Sequence, residues 1–103
     1  MDSDRFSNAQ LQWILEQAGI HMCACPAQLA GKMLDLRALH RYQTGCMSEM
    51  PELAESHRVI AEACERAHAL LEEALDRVLD IEGWDRSSLE MPEGLRKKRD
   101  ELL

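Results

Sequence analysis

Apolar side chains recur along residues 51–81 with the period of one long amphipathic helix. The steps between them alternate between four and three residues, which places them along one face of a helix. Pro51 favours a helix start there, because the residue before a proline avoids the α conformation. Gly83 is typical of a helix end. The residues on this face are Leu53, His57, Ile60, Cys64, Ala67, Leu71, Ala74, Val78 and Ile81.

This apolar face is broader than a two-stranded coiled coil requires. With His57 and Cys64 at heptad position a, positions e and g also hold mostly small or apolar residues where a two-stranded coil carries charges. A face this wide suits contact with two or more helices. A helix of about 30 residues extends about 45 Å, further than its shorter neighbour reaches, so we expect a second copy to cover the remainder. The opposite face, which includes Glu65 and Glu72, is predicted to be solvated.

Two shorter amphipathic patterns precede the long one. The first follows a capping residue, Ser7 or Asn8, and is short enough to need tertiary contacts. The second covers residues 26–43, and we expect Gly45 to help end it. Its apolar stripe consists of Leu29, Met33, Leu36 and His40, widened by Ala30, Leu34 and Leu39.

These patterns predict an all-α fold. We expect an antiparallel hairpin of the second and third helices, with the long helix in the C-terminal half of the chain. A short N-terminal helix packs beside the hairpin, and dimerisation completes a helical bundle. Residues 1–83 form the bundle domain in this interpretation, and residues 84–103 form a polar linker with a short tail helix.

Composition narrows the possible partners and the compartment. The chain has 103 residues, of which 46% are hydrophobic and only 4% aromatic, so its core is aliphatic. A net charge of −7 argues against nucleic acid as the partner, because phosphate binding needs a basic face. No segment reaches the roughly 20 apolar residues of a membrane span, so we expect no membrane association. The N-terminus lacks a signal-peptide core, and we expect a cytoplasmic protein.

In a reducing compartment cysteines are thiols or metal ligands rather than disulfides. With a reversal at residues 45–50, equal helical rise places Cys64 level with Gly31 and His68 level with Ala27. Cys64 and His68 are four residues apart and share a helix face. Both then point back toward the segment that carries the first two cysteines.

The sequence therefore allows a four-ligand set of Cys23, Cys25, Cys64 and His68. Thiolate and imidazole ligands together favour Zn²⁺ or Cu(I). A thiol-redox role is also open, because Cys25 stands at a helix start, where the dipole favours the thiolate. The alternative is structural: Cys64 is a small core residue, and Cys23 and Cys25 are linker thiols.

The function predicted first is a small acidic protein–protein interaction module, a regulatory or chaperone-like adaptor that self-associates. The alternative is a soft-metal binding or thiol-redox protein. An enzyme is the least favoured class, because the sequence shows no phosphate-binding loop and no recognisable pairing of nucleophile, base and acid.

Overall fold

The computed structural model describes residues 4–17 and 25–102, and within them the regular structure is helical, which confirms the all-α prediction. In that part of the chain, no helix combines the length and the apolar character needed to span a bilayer. The elements are α1 (Asn8–Glu16), α2 (Cys25–Glu49), a short 3-10 turn (Pro51–Leu53), α3 (Ala54–Glu82) and α4 (Glu93–Leu102).

Helices α2 and α3 pack side by side and run in opposite directions. Arg37 contacts His68, and about one turn later in α2, His40 contacts Glu65, so positions that rise along α2 fall along α3. This register places His68 beside Arg37 rather than level with Ala27. The difference from the predicted register is about ten residues, or about 15 Å along α2.

The register differs because α2 does not end at Gly45. The helix continues for another turn, and the Thr44 hydroxyl donates to the carbonyl oxygens of His40 and Arg41 at 3.0 and 3.1 Å. One glycine inside a helix costs only about 1 kcal/mol relative to alanine, which packing against a neighbouring helix can offset. The chain therefore reverses at Pro51–Leu53, later than the sequence predicts.

The start of α1 is fixed by a reciprocal cap at Ser7, one of the two capping residues that the sequence offers. The Ser7 hydroxyl accepts a hydrogen bond from the backbone N–H of Gln10 at 3.0 Å. The Gln10 side-chain oxygen in turn accepts from the backbone N–H of Ser7 at 2.8 Å. Each partner satisfies a donor that the first turn of a helix otherwise leaves unpaired.

One apolar core joins the first three helices to the segment that follows α3. Side chains from α1, α2 and α3 interdigitate, and aromatic and aliphatic side chains from outside these helices close the cluster. Its buried members are Phe6, Leu11, Ile14, Ala30, Met33, Leu75, Leu79, Trp84, Leu89 and Met91.

Residues 84–92, which the sequence pattern predicts to be a polar linker, pack onto this core. Trp84, Leu89 and Met91 are buried. Gln17, at the end of α1, donates to the carbonyl oxygen of Leu89 and accepts from the backbone N–H of Met91. The three apolar residues follow no helical or strand period, so the hydrophobic pattern carried no signal of their burial.

The buried face of α3 is rotated from the predicted one. The predicted face is centred on heptad positions a and d, whereas the buried residues of α3 lie at e, b and a single a position. They are Ala61, Cys64, His68, Glu72, Leu75 and Leu79. Glu72, predicted to be solvated, is only 6% exposed, while Ile81 at position d is 77% exposed. Half of the wide apolar face is thus turned toward solvent.

Candidate functional site

A buried guanidinium connects the N-terminal segment to α2 and α3. Arg37 lies on the buried face of α2, four residues after Met33. Its Nε donates to His68 Nε2 at 2.9 Å, and its Nη1 donates to the Asn8 side-chain oxygen at 2.7 Å. Its Nη2 donates to the carbonyl oxygen of Phe6, also at 2.7 Å. One side chain thereby joins three separate parts of the fold.

Two carboxylates balance this buried charge. Asp4 Oδ2 lies 3.4 Å and Glu72 Oε2 lies 3.9 Å from Arg37 Nη2. Glu72 Oε2 also accepts the backbone N–H of Arg5 at 2.9 Å. Because a buried charge is costly unless it is paired and hydrogen-bonded, these contacts make burial of the guanidinium tolerable.

The contact with Arg37 fixes the tautomer of His68. An arginine Nε–H always donates, so His68 Nε2 must accept and the ring proton of the neutral imidazole lies on Nδ1. That atom faces Asp4 Oδ1 at 3.8 Å. Burial is the main cause that lowers the pKa of His68; the Arg37 charge lowers it further, and Asp4 and Glu72 oppose the shift. The imidazole is therefore held neutral.

We call this group of interacting side chains the polar clamp. It consists of Asp4, Asn8, Arg37, His68 and Glu72. Ligand atoms of Asp4, His68 and Glu72 lie within 4.8 Å of one another, which is a possible metal-ligand grouping. The Arg37 guanidinium already supplies positive charge to these groups. A metal on His68 Nδ1 would leave the ring proton on Nε2, directly opposed to the Arg37 Nε–H. The geometry therefore suits the arginine better than a metal ion.

The structure brings together only part of the predicted Cys/His set. Cys64 and His68 are buried on α3, at 3% and 2% exposure. Cys25 is exposed at the first residue of α2 and lies about 18 Å along that helix from Arg37, which is level with His68. Cys23 lies outside the described residues. The soft-metal site stays a prediction, and the observed register lends it no support.

Sequence reasoning missed Asp4, Arg37 and Glu72. The sequence did hold one signal of burial, a charged residue four positions after a residue that lies on a buried helix face. Arg37 follows Met33 at this spacing, and Glu72 follows His68. This spacing on α2 and on α3 predicts that Arg37 and Glu72 form a buried pair only if the register of α2 against α3 is known. The predicted register was displaced by about three turns, so the pair was not recognised.

A second feature is an apolar groove on the surface between α2 and α3. It has a volume of about 560 Å³. Leu39 and Leu70 stand at its surface and are 42% and 68% exposed. We call it the apolar groove, and it is lined by Lys32, Asp35, Leu36, Leu39, Ala67, Leu70 and Leu71.

Comparison of the chain with protein-family models, with curated proteins and with solved structures finds no match. The fold and the two features define the class only as a small all-helical protein. In this protein a buried polar clamp fixes the helices, and an apolar groove lies open between α2 and α3.

Proposed function

We propose that this protein is a small acidic interaction module, a regulatory or chaperone-like adaptor, that self-associates through α2 and α3 into a helical bundle. In this proposal the hairpin of α2 and α3 is the building block, a second copy occupies the apolar groove, and the compartment is the cytoplasm. The observation that carries the proposal is the exposed apolar groove with Leu39 and Leu70 at its surface.

Further exposed apolar residues lie on the same two helices outside the groove. Single exposed apolar residues are ordinary, but a contiguous apolar surface marks an interaction site. Here the uncovered residues belong to two adjacent helices and recur along α3 from its start to its end. The exposed large apolar residues of α2, the 3-10 turn and α3 are Leu39, Tyr42, Leu53, Val59, Ile60, Leu70 and Ile81.

The polar clamp supports this function indirectly. Three of its side chains lie beneath the surface, with side-chain exposures of 7% for Arg37, 3% for His68 and 8% for Glu72, whereas Asp4 and Asn8 are more exposed. A role in fixing α2 against α3 explains their contacts. An interface held rigid before binding loses less conformational entropy when the complex forms.

The experiment is to measure molar mass by sedimentation or light scattering across a concentration series. We expect a dimer of the 11.8 kDa chain. Leu70→Glu is expected to weaken it at least about 100-fold, because burial of a leucine contributes about 1.5–3 kcal/mol and a symmetric dimer loses that contact twice.

Ile81→Glu is the matched control. It introduces the same charge at a more exposed residue of α3, about 16 Å along the helix from Leu70. We expect its dimer to weaken less than that of Leu70→Glu, and circular dichroism should show both variants folded. A wild-type chain that remains monomeric at high concentration would refute the proposal.

A further inference from the structure

Two charged side chains line the apolar groove, and two more lie on α3 within about one turn of Leu70, which also lines it. Lys32 and Asp35 line it from α2. Arg66 and Glu73 stand on α3, one residue before Ala67 and three residues after Leu70 respectively. All four charged residues are exposed, and none makes an ion pair or side-chain hydrogen bond with another described residue. Each helix thus carries one positive and one negative exposed charge on or near the residues that line the groove.

The contacts between α2 and α3 fix the position of each charge along the common axis of the two helices, which we call its height. Arg37 faces His68, and equal rise in antiparallel helices then places Lys32 level with Glu73. By the same rule Asp35 is level with Leu70, about one turn from Arg66. Lys32 and Glu73 therefore stand at the same height on the two helices, and Asp35 and Arg66 stand about one turn apart.

We infer that the occupant of the groove is a second copy related by a two-fold axis parallel to the hairpin, so that α2 of each copy covers α3 of the other. The inference rests on the proposed function. Rotation about such an axis keeps every residue at its height. Glu73 then meets Lys32 of the second copy, and Arg66 reaches Asp35 of the second copy about one turn away.

A two-fold axis perpendicular to the hairpin fits the charges less well. It would place α3 antiparallel to α3 of the second copy and bring Arg66 opposite Glu73. If the axis crosses α3 midway between Arg66 and Glu73, it crosses α2 next to Asp35. Asp35 would then face Asp35 of the second copy. Like charges placed opposite each other select against an arrangement. The parallel axis satisfies all four charges and the perpendicular axis only two.

The test is a charge-reversal pair measured by sedimentation at low salt. K32E alone puts two glutamates together at each contact, and E73K alone puts two lysines together. We expect each variant to form a dimer about tenfold weaker than the wild type, because rim charges act mainly on orientation and specificity. An equimolar mixture of the two variants restores opposite charges at both contacts, and we expect a heterodimer of wild-type affinity.

E52K is the matched control for E73K, since it changes the net charge by the same amount and in the same direction at an exposed residue of the 3-10 turn. We expect its dimer to be unaffected. If the wild type dimerises but K32E and E73K do not weaken it, the inference is overturned and the proposed function stands. The perpendicular axis predicts a different result: mixing R66E with E73R would restore the affinity of the dimer, and mixing K32E with E73K would not. That result would overturn the inference. A monomeric wild type would overturn the proposed function itself.

Discussion

The Arg37 side chain shows how one residue can fix the relative placement of several elements. Its guanidinium contacts His68 in α3, Asn8 at the start of α1 and the backbone of Phe6. Each contact lies at least 29 residues away in sequence. A buried cation with fixed donor directions tolerates few other arrangements of its partners, because an unpaired buried charge is costly. The polar clamp therefore specifies the register of α2 on α3 more narrowly than apolar packing alone.

The first prediction concerns the pH dependence of stability. Burial holds the pKa of His68 below its ordinary value of 6.5, so between these two values the unfolded chain binds a proton that the native chain does not. Stability should therefore fall as the pH decreases through 6.5, and the loss should level off below the native pKa. Each unit of difference between the native and unfolded pKa contributes about 1.4 kcal/mol.

Urea unfolding of the wild type and of His68→Gln across this range measures the effect. The glutamine oxygen can accept from Arg37 Nε, and the side chain does not titrate. Because the remaining histidines are common to both chains, the difference between the two stability curves isolates His68. We expect the wild type to lose stability relative to the variant in weak acid. Parallel curves would show that His68 does not titrate differently in the folded chain.

At the scale of the helices, two glycines are predicted to respond oppositely to substitution by alanine. Gly45 lies inside α2, where an added Cβ meets nothing within 4 Å, so alanine should stabilise the fold by about 0.5–1 kcal/mol. Gly83 caps α3 with a φ of 78°, so alanine there should cost about 1–2 kcal/mol. Thermal unfolding of the two variants provides the comparison. A destabilising Gly45→Ala would show that α2 does not pass through this residue as a regular helix.

The helices could be predicted where local signals act alone. The Ser7 cap and the Gly83 end depend on neighbouring residues: the sequence offered Ser7 as one of two capping residues and placed the end of α3 at Gly83. The end of α2 was misplaced, because the weak local signal of Gly45 was overridden by packing against α3. That error displaced the register and concealed the polar clamp. Which half of the wide α3 face is buried was equally undetermined, because both halves are apolar enough to pack inward.

At the scale of the whole molecule, polar contacts as well as apolar ones hold the segment after α3 in place. The Trp13 indole N–H donates to the carbonyl oxygen of Ser88 at 3.1 Å. Arg86 forms ion pairs with Asp76 and Asp80 on α3. The Asp85 carboxylate accepts hydrogen bonds from Ser87 and Ser88, which lowers the pKa of Asp85 and fixes the local turn. This segment thus closes the end of the fold that α1 and α3 share.

The last prediction separates the roles of this segment and of α4. A chain ending at residue 92 keeps Trp84, Leu89 and Met91 and loses only α4, whose Leu95 is partly buried against the core. We expect that chain to remain folded and to lose little stability. A chain ending at residue 83 lacks all three buried side chains, and each contributes about 1.5–3 kcal/mol.

Their combined loss approaches the whole stability of a typical small domain, about 5–15 kcal/mol, so the shorter chain should be largely unfolded or markedly destabilised. Circular dichroism and urea unfolding of the two chains provide the measurement. Equal stability of both chains would mean that the helical body ends at residue 83, as the sequence pattern suggests. A large difference would place the boundary of the folded unit after the segment that covers α1, because the core includes residues that no periodic pattern reveals.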